Sequence, residues 1–580
     1  MKEELQKIIK GEILDSDEVL KKYSHDASIF EIRPELVVFP KSKEDIMSLI
    51  KFLNKNRKKY PTASLTTRSA GTCMSGGAVN DSIIIDVTKY MGRIISVNRT
   101  KDYTHNLLFS SLSGGQNTVT ISGEAVVEPG CYYRDFEIEA LKYNLLLPCY
   151  TASKTINAIG GMVGNNSGGE LTLKYGKTED YVKELKVILA DGYEYTIKSL
   201  SRRDLYGKIA QNDFEGELYK KINDIYENNK EEINSRRPKV SKNSAGYNIW
   251  NIWKKDTKGE DIFDPCQIII GSQGTLGIVT EITLRLIEPK PNKALAVLFL
   301  TDLKNLGSIL NEILKHNPTT IESFDDKTFK LAMRYFGEFV KQNGLWGSIK
   351  FSLSFWPEFF MLLGGVPKMM LLVECWADDQ FEANKIANDI IKSVKKYSVT
   401  GRTTSSETEN EKYWKMRRES FALLRKHSGK LRTVPFIDDI IVPPQILPEF
   451  LPRLDALIEP YKDKMIYTIA GHAGNGNFHI IPLMDFNDPE LPKIINDLST
   501  SVYKLVVEYG GSITAEHNDG IIRTPFLKMQ FGEKMVGIFS EIKNSFDPLN
   551  IFNPHKKVNV EIGDIEKYMH AGRHNPVHGS

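Results

Sequence analysis

The segment GHAGNGNFH (471–479) places His472 and His479 seven positions apart on a glycine-rich spacer. In a helix the two rings would share a face, and in a strand they would point to opposite faces. Gly474 and Gly476 disfavour both elements, because glycine weakens them and favours tight turns. We therefore predict a strand end and a reversing loop that bring the rings together. Such a pair can bind a metal if a third ligand is near, although histidine pairs are often packing or surface residues.

A third ligand is available in GGSITAEHNDG, where Glu516 directly precedes His517. Two imidazoles and a carboxylate are a common ligand set for a divalent transition metal that keeps positions open for a substrate. On an extended chain neighbouring side chains point to opposite sides, so Glu516 can face a metal while His517 points elsewhere. The sequence predicts that His472, His479 and Glu516 bind one divalent metal, with zinc, manganese and iron left open.

Three glycine-rich loops occur in the first half of the chain, at 66–78, 151–182 and 271–279. Runs of glycine, serine and threonine expose backbone N–H groups that can converge on an anion. None of the loops is a Walker motif or a strand–GxGxxG–helix fingerprint. Each could be a turn that needs small residues, but three in this order indicate a binding site.

Strands and helices alternate around these loops. The sequence predicts strands at 35–40, 182–192 and 193–198 and a helix at 42–60, and a further strand follows the third loop. Residues 288–294 are typical of a linker, after which the pattern predicts a second α+β region.

Composition limits the function classes. The 580 residues are 41% hydrophobic and 26% charged, with a net charge of +2. A chain of this length is expected to form two or three domains. A nucleic-acid partner would need a basic face, for which this charge gives no basis. The five cysteines lie far apart without a CxxC pair, which argues against an iron–sulfur cluster within the chain and suits a cytoplasmic protein.

The order RSAGT…GG, GGMVGNNSGG…KYG and GSQGTLGIVTE resembles the flavin-binding domain of vanillyl-alcohol-oxidase/PCMH-type FAD enzymes. With GHAGNGNFH and AEHNDG, the chain is similar to one branch, the FAD-linked D-2-hydroxyacid dehydrogenases. This branch includes D-lactate and D-2-hydroxyglutarate dehydrogenases and the glycolate oxidase catalytic subunit. The resemblance covers about residues 30 to 557 and implies an α+β fold, with two α+β subdomains that bind extended FAD and an α+β cap domain over the flavin ring.

The resemblance also implies a domain organisation and a set of FAD contacts. We expect a PCMH-type FAD-binding domain at 1–287, a substrate or cap domain with the metal site at 288–540, and a C-terminal segment at 541–580 that returns to the FAD domain. The contacts expected in the first loop are Arg68, Ser69, Ala70, Gly71, Thr72, Cys73, Ser75 and Gly76. Those expected in the second loop are Thr151, Ser153, Gly160, Gly161, Asn165, Ser167 and Gly168. Those expected in the third loop and beyond are Gly271, Gly274, Thr275, Gly277, Ile278, Val279 and Asn553. Neither of the first two loops carries the histidine that links flavin in some relatives, so FAD is expected to bind non-covalently.

The resemblance assigns two catalytic residues. His517 is the general base, and Arg417, in a helix that resembles the family's WxxR helix, binds the substrate carboxylate. The alternative for Arg417 is a solvated helix charge. Asn243 and Tyr247 lie in another family-like stretch and are expected at the pocket or the flavin edge.

Departures from the family pattern bear on the substrate. Phe436 stands where the hydroxyglutarate enzymes carry a lysine, which favours a short monocarboxylic D-2-hydroxyacid, above all D-lactate. D-2-hydroxyglutarate and glycolate are the alternatives, and Arg432 could supply the missing charge. A non-catalytic FAD subunit of a larger complex and an FAD oxidase of another substrate class are the rival functions.

Reduced flavin has to pass its electrons on. The sequence has no nicotinamide fingerprint, so we expect an external acceptor: a quinone, an electron-transfer flavoprotein or a separate iron–sulfur subunit. The aromatic stretch 345–374 is the expected docking surface if it is exposed, with peripheral membrane contact as an alternative, and core packing explains it if it is buried.

Overall fold

The computed structural model describes residues 1–108, 118–328, 330, 367–404, 406, 409–418 and 430–569. The first sheet contains strands β1 (Glu12–Leu14), β2 (Leu36–Phe39), β3 (Leu65–Arg68) and β4 (Ile83–Asp86). Its order is β1-β2-β4-β3, with β2, β4 and β3 parallel and β1 antiparallel at the edge. Both β2 and β4 are buried along their whole length, as expected for parallel strands covered on two faces.

Helices cover both faces of this first sheet. The flanking helices are α1 (Lys2–Leu5), α2 (Asp17–Tyr23) and α3 (Lys43–Lys55). Helix α3 buries Ile46, Leu49, Ile50 and Leu53, which recur at helical spacing. The predicted strand at 35–40 and the predicted helix at 42–60 are therefore confirmed, although the helix ends at Lys55.

A segment from the other end of the chain extends this sheet. The backbone N–H of Leu65 donates to the carbonyl of Ile551 at 2.7 Å, and the N–H of Asn553 donates to the carbonyl of Leu65 at 2.8 Å. Residues 551–553 therefore lie beside β3.

The second sheet is antiparallel and carries the second and third glycine-rich loops at its margin. Its strands are β5 (Ile94–Asn106), β6 (Thr118–Val127), β7 (Val182–Ile188), β8 (Glu194–Lys198) and β12 (Ile278–Leu286), in the order β5-β6-β12-β7-β8. Strand β12 alternates between buried and half-buried residues, which matches its alternating sequence. A small sheet beside it has the order β10-β11-β9, with β9 (Leu200–Ser201), β10 (Trp253–Lys255) and β11 (Asp261–Phe263). The helices of this region are α4 (Tyr133–Leu141), α5 (Ile159–Asn165), α6 (Thr172–Tyr175), α7 (Thr178–Tyr181), α8 (Arg202–Ile209), α9 (Phe214–Ser235) and α10 (Cys266–Ile269).

The third sheet has seven antiparallel strands and supplies the cap side of the site. Its strands are β13 (Asn292–Leu300), β14 (Thr320–Asp325), β15 (Met369–Ala377), β16 (Thr400–Thr404), β18 (Ile440–Ile441), β20 (Ile469–His472) and β21 (Asn477–Ile480), in the order β16-β13-β15-β14-β20-β21-β18. A smaller sheet has the order β17-β22-β19, with β17 (Leu431–Thr433), β19 (Met465–Ile466) and β22 (Leu483–Asp485). The helices are α11 (Leu306–Leu314), α12 (Gln380–Val394), α13 (Leu447–Ile458), α14 (Leu491–Glu508), α15 (Gly520–Arg523), α16 (Leu527–Phe531), α17 (Glu533–Phe546) and α18 (Ile562–Tyr568).

The α+β class is confirmed, and the domain boundaries stay a prediction. Of the stretch 345–374, residues 345–366 lie outside the described residues, and these include every aromatic side chain that motivated a docking surface. Its remaining part enters β15, which is buried at each position, so that part is core. Across the described ranges, no helix combines the length and apolarity that crossing a membrane requires.

Candidate functional site

A cavity of about 510 Å³ lies between the three glycine-rich loops and strands β20 and β21. This volume falls in the range of small-molecule and cofactor sites. Most of the predicted FAD residues line it: Ser69, Ala70, Gly71, Thr72, Cys73, Thr151, Ser153, Gly160, Gly161, Asn165, Ser167, Gly168, Gly274, Gly277 and Val279. The predicted metal ligands His472, His479 and Glu516 and the predicted catalytic residues His517 and Arg417 line the same cavity. The structure thus brings the two predicted sites together.

Four polar residues predicted as FAD contacts lie behind the cavity wall instead. Arg68 donates to the carbonyl of His25 at 2.6 Å. The carbonyl of Ser75 accepts from the N–H of Ile521 at 2.8 Å. The hydroxyl of Thr275 donates to a carbonyl within its own loop at 2.7 Å. Asn553 donates to a carbonyl of the first loop at 2.9 Å and to one of the third loop at 2.7 Å. These four residues hold the loops in place because their polar atoms are already bonded to the protein.

Three further residues predicted as FAD contacts are also absent from the cavity lining. Gly76 packs against the ring of Phe30, and Gly271 faces the Cβ of Asn166. Ile278 starts β12 and is 1% exposed in the core beneath the first sheet. Each is directed into the protein, so none of the three faces the cavity.

The cavity wall formed by α5 suits a flat cofactor. Gly161 and Gly164 lie on one face of this helix, and a Cβ on either would stand at least 3.7 Å from its nearest neighbour. Glycine costs helix stability, so neither packing nor backbone conformation explains the two residues. Two buried polar atoms on residues that line the cavity, the hydroxyl oxygen of Thr67 and Oδ1 of Asn157, have no hydrogen-bond partner in the described structure. A small-residue wall with unpaired polar atoms fits FAD, and sequence reasoning missed both Thr67 and Asn157.

The predicted reversing loop between the two histidines is confirmed as a β-hairpin. His472 ends β20 and is paired with Asn477 of β21, so His479, two residues further, projects from the same face as His472. The two ring centroids are 5.3 Å apart. Gly476 adopts a φ of +73°, and a Cβ there would meet the carbonyl oxygen of Val442 at 1.9 Å. The spacer therefore needs glycine to reverse the chain in this space.

Glu516 lies between the two histidines. Its Oε1 lies 3.1 Å from Nε2 of His472 and 3.4 Å from Nε2 of His479. Ligand atoms at about 2.0–2.1 Å from a tetrahedral metal are about 3.3 Å apart, so each of these two distances suits a pair of ligands on one divalent ion. The second oxygen of Glu516 accepts a hydrogen bond from buried Lys242 at 3.0 Å. Burial alone raises the pKa of Glu516, but the charges of Lys242 and His472 hold it well below its usual value.

Buried carboxylates hold the other nitrogen of each histidine. Oε1 of Glu322 lies 2.6 Å from Nδ1 of His472, and Oδ1 of Asp438 lies 3.2 Å from Nδ1 of His479. Burial raises the pKa of Glu322, but the charges of Arg417 and His472 outweigh it and lower that pKa to about 2. An ionised carboxylate only accepts, so Nδ1 of each ring donates, and Nε2, which faces Glu516, is the nitrogen that a bound metal would take.

Asp438 also holds His517. Its Oδ2 lies 2.6 Å from Nδ1 of His517, and the rings of His479 and His517 are stacked with centroids 5.0 Å apart. Burial lowers the pKa of His517, but the charges of Asp439 and Asp438 outweigh this and raise that pKa above its usual value. Because Nδ1 is held by Asp438, Nε2 is the nitrogen of His517 that can exchange a proton.

Asp439 fixes the backbone that carries Glu516 and His517. Its Oδ2 accepts from the backbone N–H groups of Ala515, Glu516 and His517 at 2.9, 2.8 and 2.7 Å and from the hydroxyl of Thr514 at 2.6 Å. Ligand-type atoms of Asp439, His479, Glu516 and His517 all lie within 4.8 Å of one another. Asp439 is nevertheless a poor ligand because four donors already occupy this oxygen.

Sequence reasoning missed these supporting groups. Glu322, Asp438, Asp439 and Lys242 are almost fully buried charges, and in the sequence each is a charged residue beside apolar or small neighbours. For Glu322, Asp438 and Asp439, the signal in the sequence is an acidic residue inside a strand-like stretch, TTIESFDD or FIDDIIVP, because a charge in a buried strand needs a partner.

Two adjacent arginines reach the cavity from the helical residues 409–418. Arg417 forms an ion pair with Glu322 and has 7% of its side chain exposed, so it is not a solvated helix charge. Arg418 donates two hydrogen bonds to Glu170, at 2.9 and 2.6 Å. Glu322, which also bonds to His472, therefore connects Arg417 with His472.

Three other expectations are wrong. Phe436 is completely buried in the hydrophobic core and does not line the cavity, so it carries no information on substrate length. Asn243 accepts a hydrogen bond from Ser512, and Tyr247 bonds to Thr275, so both serve the interior rather than the pocket. Arg432 lies over the ring of Phe486, away from the cavity lining.

Comparison with known proteins agrees with this geometry. Residues 34–198 match the model of an FAD binding domain, and residues 289–557 match the C-terminal domain of FAD linked oxidases. The chain belongs to the PCMH-type FAD-linked oxidase family. The two matches lie in the two halves of the chain, and residues from both halves line the cavity.

Relatives within this family carry several names. The D-2-hydroxyglutarate dehydrogenase of Pseudomonas putida is 26% identical over 537 residues, which cover 92% of this chain and 49% of the relative. The D-lactate dehydrogenase of Anaerostipes hadrus is 25% identical, and the match covers 96% of each chain. The chain thus spans about half the length of the hydroxyglutarate relative. The solved structure of 4-ethylphenol oxidase from Gulosibacter chungangensis shares the fold, with a TM-score of 0.64, 14% identity and 96% coverage of both chains.

Proposed function

We propose that this protein oxidises a short D-2-hydroxyacid, D-lactate in the first instance, with non-covalent FAD and one divalent metal. The observation that carries the proposal is the spacing of 3.1 and 3.4 Å between Glu516 and the two histidine Nε2 atoms, in a cavity that also holds an Asp-backed imidazole. This combination serves proton abstraction from a chelated hydroxyl. The relatives named D-lactate and D-2-hydroxyglutarate dehydrogenase support the reaction class.

Different side chains of the cavity have different roles in the proposed oxidation. Bound FAD supplies a hydride acceptor at N5, and a metal held by His472, His479 and Glu516 lowers the pKa of a coordinated hydroxyl. His517 takes the hydroxyl proton on Nε2, because its Nδ1 is held by Asp438. Asp438 stabilises the imidazolium that results, as a buried carboxylate does beside a protonated histidine.

Arg417 binds the substrate carboxylate. A planar guanidinium can bind Glu322 through one edge and a second carboxylate through another. Because Glu322 also holds His472, Arg417 has a fixed orientation relative to the metal ligands. The carboxylate and the hydroxyl of one small molecule can then be bound together.

The charges of the cavity favour a monocarboxylic substrate over D-2-hydroxyglutarate. Among the described cavity-lining residues, Arg417 and Arg418 carry the only guanidinium or ammonium groups. The charge of Arg418 is balanced by its two hydrogen bonds to Glu170. Arg417 is paired with Glu322, which also holds His472, so it is the arginine placed beside the proposed metal ligands to bind one substrate carboxylate.

The electrons leave to an acceptor outside the chain, such as a quinone, an electron-transfer flavoprotein or an iron–sulfur subunit. All five cysteines are buried and form no disulfide, and in the part of the chain that the structure describes none belongs to a group of metal-ligand side chains. Oxygen is expected to be the poor acceptor. Hydrogen peroxide formed at the rate of dye reduction would instead make the protein an oxidase.

A substrate panel tests the proposal. The purified yellow protein is assayed with D-lactate, L-lactate, glycolate and D-2-hydroxyglutarate and a dye acceptor, before and after chelation and after metal is restored. We expect turnover of D-lactate that is lost with the metal and regained with it. A preference for D-2-hydroxyglutarate would overturn the substrate assignment, turnover that survives complete metal removal would overturn the metal assignment, and no turnover would favour a non-catalytic FAD subunit.

A further inference from the structure

The structure assigns Asp438 a positioning role for both parts of the reaction: one carboxylate orients the proposed metal ligand His479 and the proposed base His517. This inference rests on the proposed function and extends it to a residue that is neither a metal ligand nor part of the cavity lining. Oδ1 of Asp438 lies 3.2 Å from Nδ1 of His479, and Oδ2 lies 2.6 Å from Nδ1 of His517. The two rings stack with 21° between their planes. Each oxygen serves one ring.

The backbone keeps this carboxylate in place. Asp438 has no exposed surface, and its carbonyl accepts from the guanidinium of Arg523 at 2.9 Å. Two residues earlier, the carbonyl of Phe436 accepts from the hydroxyl of Tyr503. The next residue, Asp439, holds the backbone of 515–517. The carboxylate of Asp438 therefore cannot turn away from the two histidines without breaking a buried network.

The same contact has a different consequence for each histidine. A carboxylate accepts but does not donate, so Nδ1 of both rings carries the hydrogen. For His479, Nε2 lies 3.4 Å from Glu516 and is the nitrogen that binds the ion in the metal-loaded protein. For His517, the contact leaves Nε2 as the atom that receives the substrate proton. One side chain thus sets the tautomer of a ligand and of a base.

The substitution Asp438→Asn separates the two consequences. The amide has the same shape, but it accepts on one side and donates on the other, so it can serve one ring only. A metal in excess binds Nε2 of His479 and turns the amide carbonyl towards that ring. The amide N–H group then faces His517, whose Nδ1 has to accept, so the hydrogen moves to Nε2 and the base is blocked.

The experiment uses the FAD-loaded full chain. Wild type and Asp438→Asn are chelated and then titrated with Zn²⁺, Mn²⁺ and Fe²⁺ separately, while bound metal is measured by mass spectrometry and kcat and KM with D-lactate and a dye. We expect about 10- to 100-fold weaker metal binding in Asp438→Asn. With the metal site filled, we expect kcat to stay about 10²- to 10⁴-fold below wild type, with FAD content unchanged.

Two variants serve as matched controls. Glu322→Gln alters the carboxylate behind His472, which is a metal ligand but not the base. Because Glu322 also orients Arg417, this variant should have a higher KM for the hydroxyacid, but added metal should restore more of its kcat than it restores in Asp438→Asn. Asp438→Glu keeps an acceptor-only group, so added metal should restore more of its kcat than it restores in Asp438→Asn. If Asp438→Asn does not give folded, FAD-containing protein, Asp438→Ser replaces it, because a serine hydroxyl is too short to reach both rings.

The outcomes distinguish this inference from the proposed function. If wild type neither binds metal nor oxidises a 2-hydroxyacid, the proposed function has failed. If wild type is active and Asp438→Asn regains wild-type kcat once its metal site is filled, Asp438 acts on His479 alone and the double role is wrong. Unchanged metal affinity and kcat in Asp438→Asn would remove both roles.

Discussion

Replacement of Gly164 by alanine should stabilise the FAD-free protein and weaken FAD binding at the same time. Gly164 lies in α5, and the added Cβ would be 4.0 Å from its nearest neighbour, the Cα of Gln273. No protein atom opposes the methyl group, and alanine is favoured over glycine in a helix by up to about 1 kcal/mol. The melting temperature of the FAD-free protein should therefore rise by roughly 1–3 °C.

When FAD is bound, Gly164→Ala should instead lower the stability of the protein. The methyl group projects into the cavity, and overpacking at a contact surface costs about 1–3 kcal/mol. That cost corresponds to a Kd for FAD that is about 5- to 150-fold higher. The FAD-saturated variant should therefore gain less from the ligand and melt below wild type.

Flavin fluorescence titration and thermal denaturation with and without FAD measure both effects. The matched control is Gly537→Ala, an exposed position inside α17 where a Cβ meets nothing within 4 Å. It should raise the melting temperature of both forms and leave the Kd for FAD unchanged. Wild-type FAD affinity in Gly164→Ala would show that α5 does not contact the cofactor, and the assignment of this wall would be wrong.

Four further predictions follow from the site. Denaturation of the yellow protein should release intact FAD into the supernatant, and flavin that stays with the precipitate would indicate a covalent bond. His479→Ala should lower metal content about 10- to 100-fold at limiting metal without lowering FAD content, since the ligand lies on β21 and not on the glycine loops. Arg417→Lys should raise the KM for the hydroxyacid more than it lowers kcat, because an ammonium cannot bind two carboxylates through a planar fork; an unchanged KM would refute the clamp. Phe436→Lys should destabilise the fold by at least about 3 kcal/mol, measured by denaturation, and should not create activity on D-2-hydroxyglutarate, because this side chain is buried in the core.

Local sequence predicts those parts of the site whose geometry depends on backbone conformation. The histidine hairpin follows from glycine positions, since Gly476 needs a positive φ and a close approach to Val442. The cavity-facing loops follow from runs of small residues. Arg417 was found only through the family resemblance, because a helix charge alone does not reveal that it faces inward.

The parts that escaped prediction depend on contacts across the fold. Glu322 meets His472 because β14 and β20 are neighbours in the third sheet, which no local pattern specifies. Asp438 and Asp439 are adjacent in sequence, yet one binds imidazoles and the other binds a backbone turn. The family resemblance puts Phe436 at the position of a lysine in the hydroxyglutarate enzymes, whereas core packing sets the direction of its side chain.

The pairing of residues 551–553 with β3 has a consequence for biosynthesis. The first sheet has β3 at its edge, and the segment that pairs with this edge is separated from β4 by more than four hundred residues. At about 5–20 residues per second, translation takes roughly half a minute to a minute and a half to cover that distance. During this time the nascent chain exposes an unpaired strand edge, the kind of surface on which chains aggregate. Asn553 then joins the first and third glycine loops through its side chain, so the pocket for the cofactor is completed only after residue 553 has left the ribosome.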